Sequence, residues 1–390
     1  MYPKPLVNRW REYGKHEILV NTNHDEIARL DFMANFFMYL RDDMVPNHKK
    51  IYEKKVKKNF RKKHKRYPKN RHEVRKAMLQ DNYFKTWSHL RVYAQENTYS
   101  ERRKIVNRQL GNLIDIAKPR KTDRGKVVID PDFKSPKYQK HLDMHWMPGS
   151  YHSIFNKYEV AGGAMYDCGG LYLSTGNMLG KYNNGAAYAV IKWLKNNYPK
   201  FRPEKVLDEG CTVGHNTLPY KDAWPNCEIY GIDIGEPVLR YAHRRAESLG
   251  YHINFSQQNA ENTNFKESTF DMVVSTMFLH ETSHKAIHNI VSEAYRLLRD
   301  GGIMIHIEQP PFEMIKDPFD QLMGDWDTHN NNEPFWGPMH DMNLESVALK
   351  AGFKKNNIIQ TFAPLICPSD EDKYRENPHG KWFVFAGWKK

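Results

Sequence analysis

VLDEGCTVG, residues 206–214, reads as a short buried strand that ends in Asp208 and runs through a glycine-bearing turn toward a helix. Glycine lets a backbone approach a ligand closely, and a helix N-terminus offers free N–H groups. A dinucleotide fingerprint requires G-x-G-x-x-G, but Thr212 and Thr217 stand where its second and third glycines would be. Taken alone, the turn is equally an ordinary strand-to-helix connection. The next strand, IYGIDIGEP, changes that balance, because Asp233 at its carboxyl end is placed to accept hydrogen bonds from both hydroxyls of a ribose. The competing reading of Asp233 is a helix N-cap.

Working outward, strands alternate with helices. Strands are expected at 205–208, 228–233, 252–257, 270–275 and 303–308, and helices at 218–223, 237–249, 285–298 and 343–352. Residues 357–362 and 382–388 read as a closing antiparallel pair. This pattern predicts an α/β fold: a Rossmann-like, seven-stranded, mainly parallel sheet covered on both faces. After the third strand, QQNAEN places Asn259 or Glu261 at the edge of a bound base, and Gly301–Gly302 turns into the fifth strand.

VLDEGCTVG, IYGIDIG, NAEN, FDMVVS and RLLRDGG together resemble, in order and spacing, the class I S-adenosylmethionine (SAM)-dependent methyltransferases. The likeness is strongest to the ubiquinone- and menaquinone-biosynthesis branch, and covers about 203–312 plus the terminal strands. It implies SAM as cofactor and S-adenosylhomocysteine as product. By position, it implies that Asp208 and the loop of Glu209, Gly210, Cys211 and Gly214 hold the methionine part. Asp233 would take the ribose, Ile234 would pack on adenine, and Asn259, Ala260 and Glu261 would lie at the adenine edge. Ser275 would line the methionine side, with Tyr166 and Tyr172 closing over the cofactor. Two departures stand out: Thr212 replaces a frequent middle glycine, which would widen the loop or shift the ligand, and Asn259 replaces a frequent aspartate.

A sulfonium methyl group is electrophilic, so the enzyme must align a nucleophile, exclude water and, for a hydroxyl, remove a proton. His280, in FLHETSH, is the first candidate base, with Glu281 and Tyr172 as further catalytic candidates. The competing reading of His280 is a packing histidine at the crevice edge. An insert at 310–342 reads as a substrate-side cap. It offers Asp325, Asp327, Asn331, Glu333 and Trp336, which suit a cationic or amine-bearing substrate, or else an exposed loop capped by its own side chains. His145, Tyr151 and His284 complete the substrate-side candidates. No N/D-P-P-Y sequence and no Pro-Cys pair follows the fourth strand, which disfavours chemistry on nucleic-acid bases. The expected function is methylation of an O, N or S atom of a small molecule. The alternatives are an RNA methyltransferase and a SAM-binding module without catalysis.

Three regions are expected: a helical 1–140 acting as lid or dimer interface, a Gly/Tyr-rich cap at 141–200, and a SAM-binding domain at 201–390. Helices are read from about 25, stopping at Pro46, then over 73–95 and over 100–117 with Ser100 as N-cap; 119–136 reads as a linker. The net charge of +13 is concentrated in 49–76, either a solvated helix face or an arm for nucleic acid or another anionic partner. Four scattered cysteines give neither a disulfide framework nor a metal site. With no apolar run long enough to span a bilayer and no secretory h-region, a cytoplasmic protein is expected, with a homodimer possible.

Overall fold

The structure is a computed structural model that describes residues 9–169 and 178–390. Its strands, in chain order, are β1 (Lys126–Val128), β2 (Lys205–Glu209), β3 (Glu228–Asp233), β4 (Asn254–Gln257), β5 (Phe270–Thr276), β6 (Leu298–Glu308), β7 (Ile358–Ile366) and β8 (Glu376–Trp388). They form one eight-stranded sheet in the order β1-β4-β3-β2-β5-β6-β8-β7. The pairs from β1 through β6 are parallel, while β8 runs antiparallel to both β6 and β7.

β2 sits at the centre, buried on both faces, which is why it reads as a continuous run rather than an alternation. Val206, Met272, Val274 and Ile305 face the helices Gly185–Asn197 and Glu236–Ser248. Leu207, Val273 and Met304 face the helix His284–Leu297 on the other side. From β2 the chain winds outward to β3 and β4, then returns to β5 on β2's other flank. That reversal opens a crevice at the carboxyl ends of β2 and β5, where such sheets bind ligands.

The N-terminal half differs from expectation in four places, the first being that the helix read over 73–95 is broken at 79–81, between Arg71–Met78 and Asn82–Ala117. The anticipated linker contains β1, which lies beside β4 with Lys126 opposite Asn254, so a boundary at 140 would cut a strand out of the sheet. KVV carries too little apolar sequence to declare itself, and only the waiting edge of β4 makes it a strand. Pro46 does not end its helix. The run from His24 continues to His64 through two wide π-turns, Leu40–Met44 and Tyr52–Val56. The first of these precedes Pro46, which occupies the opening turn of Val45–Ile51. A proline there forfeits no hydrogen bond that its neighbours need. Ser100 caps nothing; it lies inside a 36-residue helix, Asn82–Ala117. The cap is Asp81, whose carboxylate accepts from Tyr83 N at 3.0 Å and Phe84 N at 3.4 Å.

These helices roof the crevice. Their core, with Phe37, Leu40, Val74, Met78, Phe84 and Trp87, is completed by Phe319, Leu322 and Trp326 of the 310–342 insert. Ion pairs tie the same layers together and engage part of the basic run. Lys49 meets Asp317 and Asp320, Lys55 meets Asp81 at 2.8 Å, and Arg66 meets Glu73 at 2.6 Å. Arg71 joins Asp325 at 2.8 Å and Asp341 at 2.5 Å. Among the described residues no helix is long and apolar enough to cross a membrane.

Candidate functional site

A cavity of about 670 Å³ lies under the roof and reaches down to the turn after β2. Gly210, Thr212 and Gly214 there all have positive φ, at 67°, 44° and 76°. Thr212 therefore keeps a glycine-like backbone path. The reason is at hand: Thr212 N donates to Asp233 Oδ2 at 3.0 Å, while Gly235 N donates to Oδ1 at 2.8 Å. Each Asp233 oxygen keeps a further acceptor site for a diol. Burial pushes the Asp233 carboxyl up to about 6 against those N–H bonds. Asp208, also buried, is raised to about 7 although Thr217 Oγ1 donates to it at 2.5 Å. Ile234, Asn259, Ala260 and Cys211 line the same cavity.

Six expected site residues do not reach the cavity wall. Glu209 points under the sheet, its oxygens buried without a hydrogen bond, and burial raises its carboxyl well above the usual range. Alternation along β2 puts it on the face opposite Asp208. Ser275 is fully buried and paired with His306 Nδ1 at 2.7 Å. Gly214 shapes the turn behind the wall. Glu261 turns aside to Tyr138 and Asn289. His284 lies at the start of its helix against His288, and Asp325 is taken by Arg71. Tyr172 lies outside the described residues.

Sequence reasoning missed a buried array behind the loop. Asp167 accepts from Tyr13 and Tyr241 hydroxyls and meets His16 Nε2 at 2.8 Å and His215 Nε2 at 2.6 Å, with Arg245 at 3.6 Å. Although burial opposes its charge, the histidines hold its carboxyl well below the usual range. His215 follows Gly214 directly, lines the cavity, and carries the Tyr166 ring against its own at 5.8 Å. That adjacency was the one signal available in sequence. Its partners lie far along the chain, as does Arg102, a buried wall residue stacked on Tyr99.

The opposite wall brings together His145, Tyr151, His280, Glu281, Asp327, Asn331, Glu333 and Trp336. Glu308, at the end of β6, accepts from Phe278 N at 2.9 Å and Leu279 N at 2.7 Å, and from His280 Nδ1 at 2.7 Å. His280 Nε2 faces Glu333 Oε2 at 3.8 Å. The other Glu333 oxygen meets His145 Nδ1 at 2.9 Å and Asn331 Nδ2 at 2.6 Å. His145 Nε2 reaches Glu281 Oε1 at 2.9 Å, which also accepts from Tyr151 Oη at 3.0 Å. Asp327 pairs with Arg91 at 3.1 Å. His145, Trp146 and Met277 all have φ above 50°, strain of the kind that gathers at functional sites.

This array sets the charge state of His280. Burial alone would lower its pKa, but Glu308, then Glu333 and Glu281, outweigh burial and raise it to about 9. His280 is therefore an imidazolium at neutral pH. A raised folded-state pKa contributes stability that is complete below pH 6.5 and lost as pH rises through about 9. Thermal melts of the wild type should fall across that window, and His280→Gln should flatten the fall. An unchanged profile would show that another group governs it.

Residues 206–302 match the family described as a methyltransferase domain. The demethylmenaquinone methyltransferase of Thermus thermophilus is 30% identical over 109 residues, 28% of this chain and 49% of that protein. The carboxy-S-adenosyl-L-methionine synthase of Campylobacter lari is 25% identical over 128 residues, 32% of this chain and 54% of that one. The chain thus spans about half the length of these curated relatives. Among solved structures, a putative O-methyltransferase from Nostoc punctiforme aligns at a TM-score of 0.39 and 19% identity, over 54% of this chain and 57% of that one.

Proposed function

We infer, from a chain whose residues 206–302 match a methyltransferase-domain family, that it transfers a methyl group from SAM to an O, N or S atom of a small molecule held under the helical roof. One observation carries this reading. The Asp233 loop and the carboxylate–imidazole wall open into a single roofed cavity. A donor and an acceptor bound there share a space from which the roof excludes water, the condition methyl transfer needs. In this reading Asp233 binds the ribose, Asn259 and Ala260 meet the adenine, and the His215–Tyr166 side receives the methionine end. When bound, SAM supplies the electrophilic methyl; the chain supplies position, exclusion of water and charge.

The N-terminal helices act as a lid, since Phe37, Leu40, Trp87, Arg91 and Tyr99 line the cavity. An RNA arm is the second reading of the basic run: Lys49, Lys55, Arg66 and Arg71 are engaged by carboxylates of the chain itself, and the exposed Lys58, Lys62, Lys63 and Lys65 are the surface it would use. A module without catalysis does not account for buried charges facing the loop across the cavity.

Calorimetry with S-adenosylhomocysteine tests the reading. Asp233→Ala should weaken binding about tenfold or more, the loss expected for charge-assisted hydrogen bonds of roughly 1.5–3 kcal/mol. Unchanged affinity would sink the ribose assignment, and no binding by the wild type would sink the whole reading.

A further inference from the structure

The wall opposite the cofactor loop contains a gap in an otherwise closed chain of hydrogen bonds. Glu308, His280, Glu333, His145, Glu281 and Tyr151 alternate carboxylate and donor, and each neighbouring pair but one lies within 3.0 Å. The exception is His280 Nε2 to Glu333 Oε2, at 3.8 Å. That separation is too long for a hydrogen bond. Both groups are held from behind. Glu308 holds His280 through Nδ1, and Trp336 packs against the ring at 4.5 Å. Glu333 is held through its other oxygen by His145 and Asn331. Glu333 Oε2 is buried without a hydrogen-bond partner, on a residue only 1% exposed that lines the cavity. That oxygen faces the His280 ring at 3.8 Å without a hydrogen bond, and a ligand group bridging the two would supply one.

We propose, building on the methyl-transfer reading above, that the notch between His280 and Glu333 receives a phenol-type hydroxyl of the acceptor, with His280 donating to its oxygen and Glu333 taking its proton. The notch requires a group that accepts one hydrogen bond and donates another. A hydroxyl does both and keeps a second lone pair for the methyl group. An ammonium has only protons to give. A neutral amine would surrender its one lone pair to His280, and a thioether has no proton for Glu333. The flat walls of Trp336, Trp326 and Phe278 suit a hydroxyl borne on an aromatic ring. His280, kept cationic by Glu308, stabilises the charge that develops on oxygen as the proton leaves.

The step balances. An oxygen lone pair forms the new O–C bond and the O–H proton passes to Glu333 Oε2. The methyl–sulfur bond breaks with its electron pair going to sulfur, so the sulfonium donor leaves as a neutral thioether.

The test uses the full chain loaded with S-adenosylhomocysteine and two matched probes that are both neutral at pH 7, para-cresol and para-toluidine, with binding read by calorimetry. The phenol should bind about tenfold tighter than the aniline, and Glu333→Gln and His280→Gln should each abolish that preference while leaving S-adenosylhomocysteine binding intact. With SAM in place of the product, mass spectrometry should find the O-methyl ether and no N-methyl aniline. Equal binding of the probes, preference for the aniline, binding of neither, or a preference that survives both substitutions would each overturn the proposal. Failure of the wild type to bind S-adenosylhomocysteine would instead remove the methyl-transfer reading on which the proposal rests.

Discussion

Gly210→Ala should leave a folded protein with no measurable affinity for S-adenosylhomocysteine. Two costs coincide at this position. Its φ of 67° is left-handed, a conformation that costs an ordinary residue about 1–2 kcal/mol. A Cβ there would also lie 2.4 Å from the Phe278 ring. Phe278 cannot retreat as a unit, because its backbone N–H is fixed to Glu308. Its ring must turn into the cavity, where the cofactor belongs. Gly301→Ala separates the two costs. Gly301 has φ of 78°, but its Cβ would meet nothing within 4 Å. It should lose about 1–2 kcal/mol of stability and bind as the wild type does. Denaturant melts and calorimetry on both variants decide the matter; wild-type affinity in Gly210→Ala would mean that the turn does not touch the cofactor.

Arg71→Ala should cost roughly 3–5 kcal/mol, the range for removing one partner of a buried ion pair. Asp325 is 2% exposed and would be left with only the Thr328 hydroxyl at 2.7 Å and the His329 ring at 3.7 Å to meet its charge. Arg71 also binds Asp341 through two nitrogens and lies over Phe312 at 4.1 Å. It therefore pins the roof to the insert bearing Asp327, Glu333 and Trp336. Asp325→Asn in the same chain should recover part of the loss, since the stranded charge goes with it. A loss under about 1 kcal/mol, as for an exposed pair, would show that Asp325 reaches water without Arg71. The variant should also weaken acceptor binding more than cofactor binding, because Asp233 lies on the sheet and not on the insert.

What the sequence made legible follows from how local each signal is. Asp208, Gly210, Asp233 and Asn259 sit at strand ends whose spacing is written in consecutive βαβ units, so their convergence could be read directly. The face of β2 was harder. Asp208 and Glu209 are adjacent and both acidic, and only strand alternation sends one to the cavity and the other beneath the sheet. His280 and Glu333 were recognisable as candidates, but the protonation of His280 depends on Glu308, a partner 28 positions away at the end of another strand. Asp167 gathers Tyr13 and His215 from 154 and 48 positions away, and no local pattern announces such a meeting. The reading of Ser100 as a cap failed for the opposite reason. A local rule was applied where helix formers continue on both sides, and Asp81 had already supplied the start.

The union of roof and insert also bears on how the chain is made. Trp326 donates to Ser88 across 238 positions, and the apolar faces of Trp87, Phe84 and Met78 are closed only when residues 319–326 arrive. At a synthesis rate of about 5–20 residues per second, those faces wait on the order of 10 to 50 s for their partners. Helices themselves form within microseconds. The N-terminal third thus becomes helical early and stays sticky for most of translation, so its capture by a chaperone, or its aggregation when the C-terminal half is truncated, follows from the position of Trp326 in the chain.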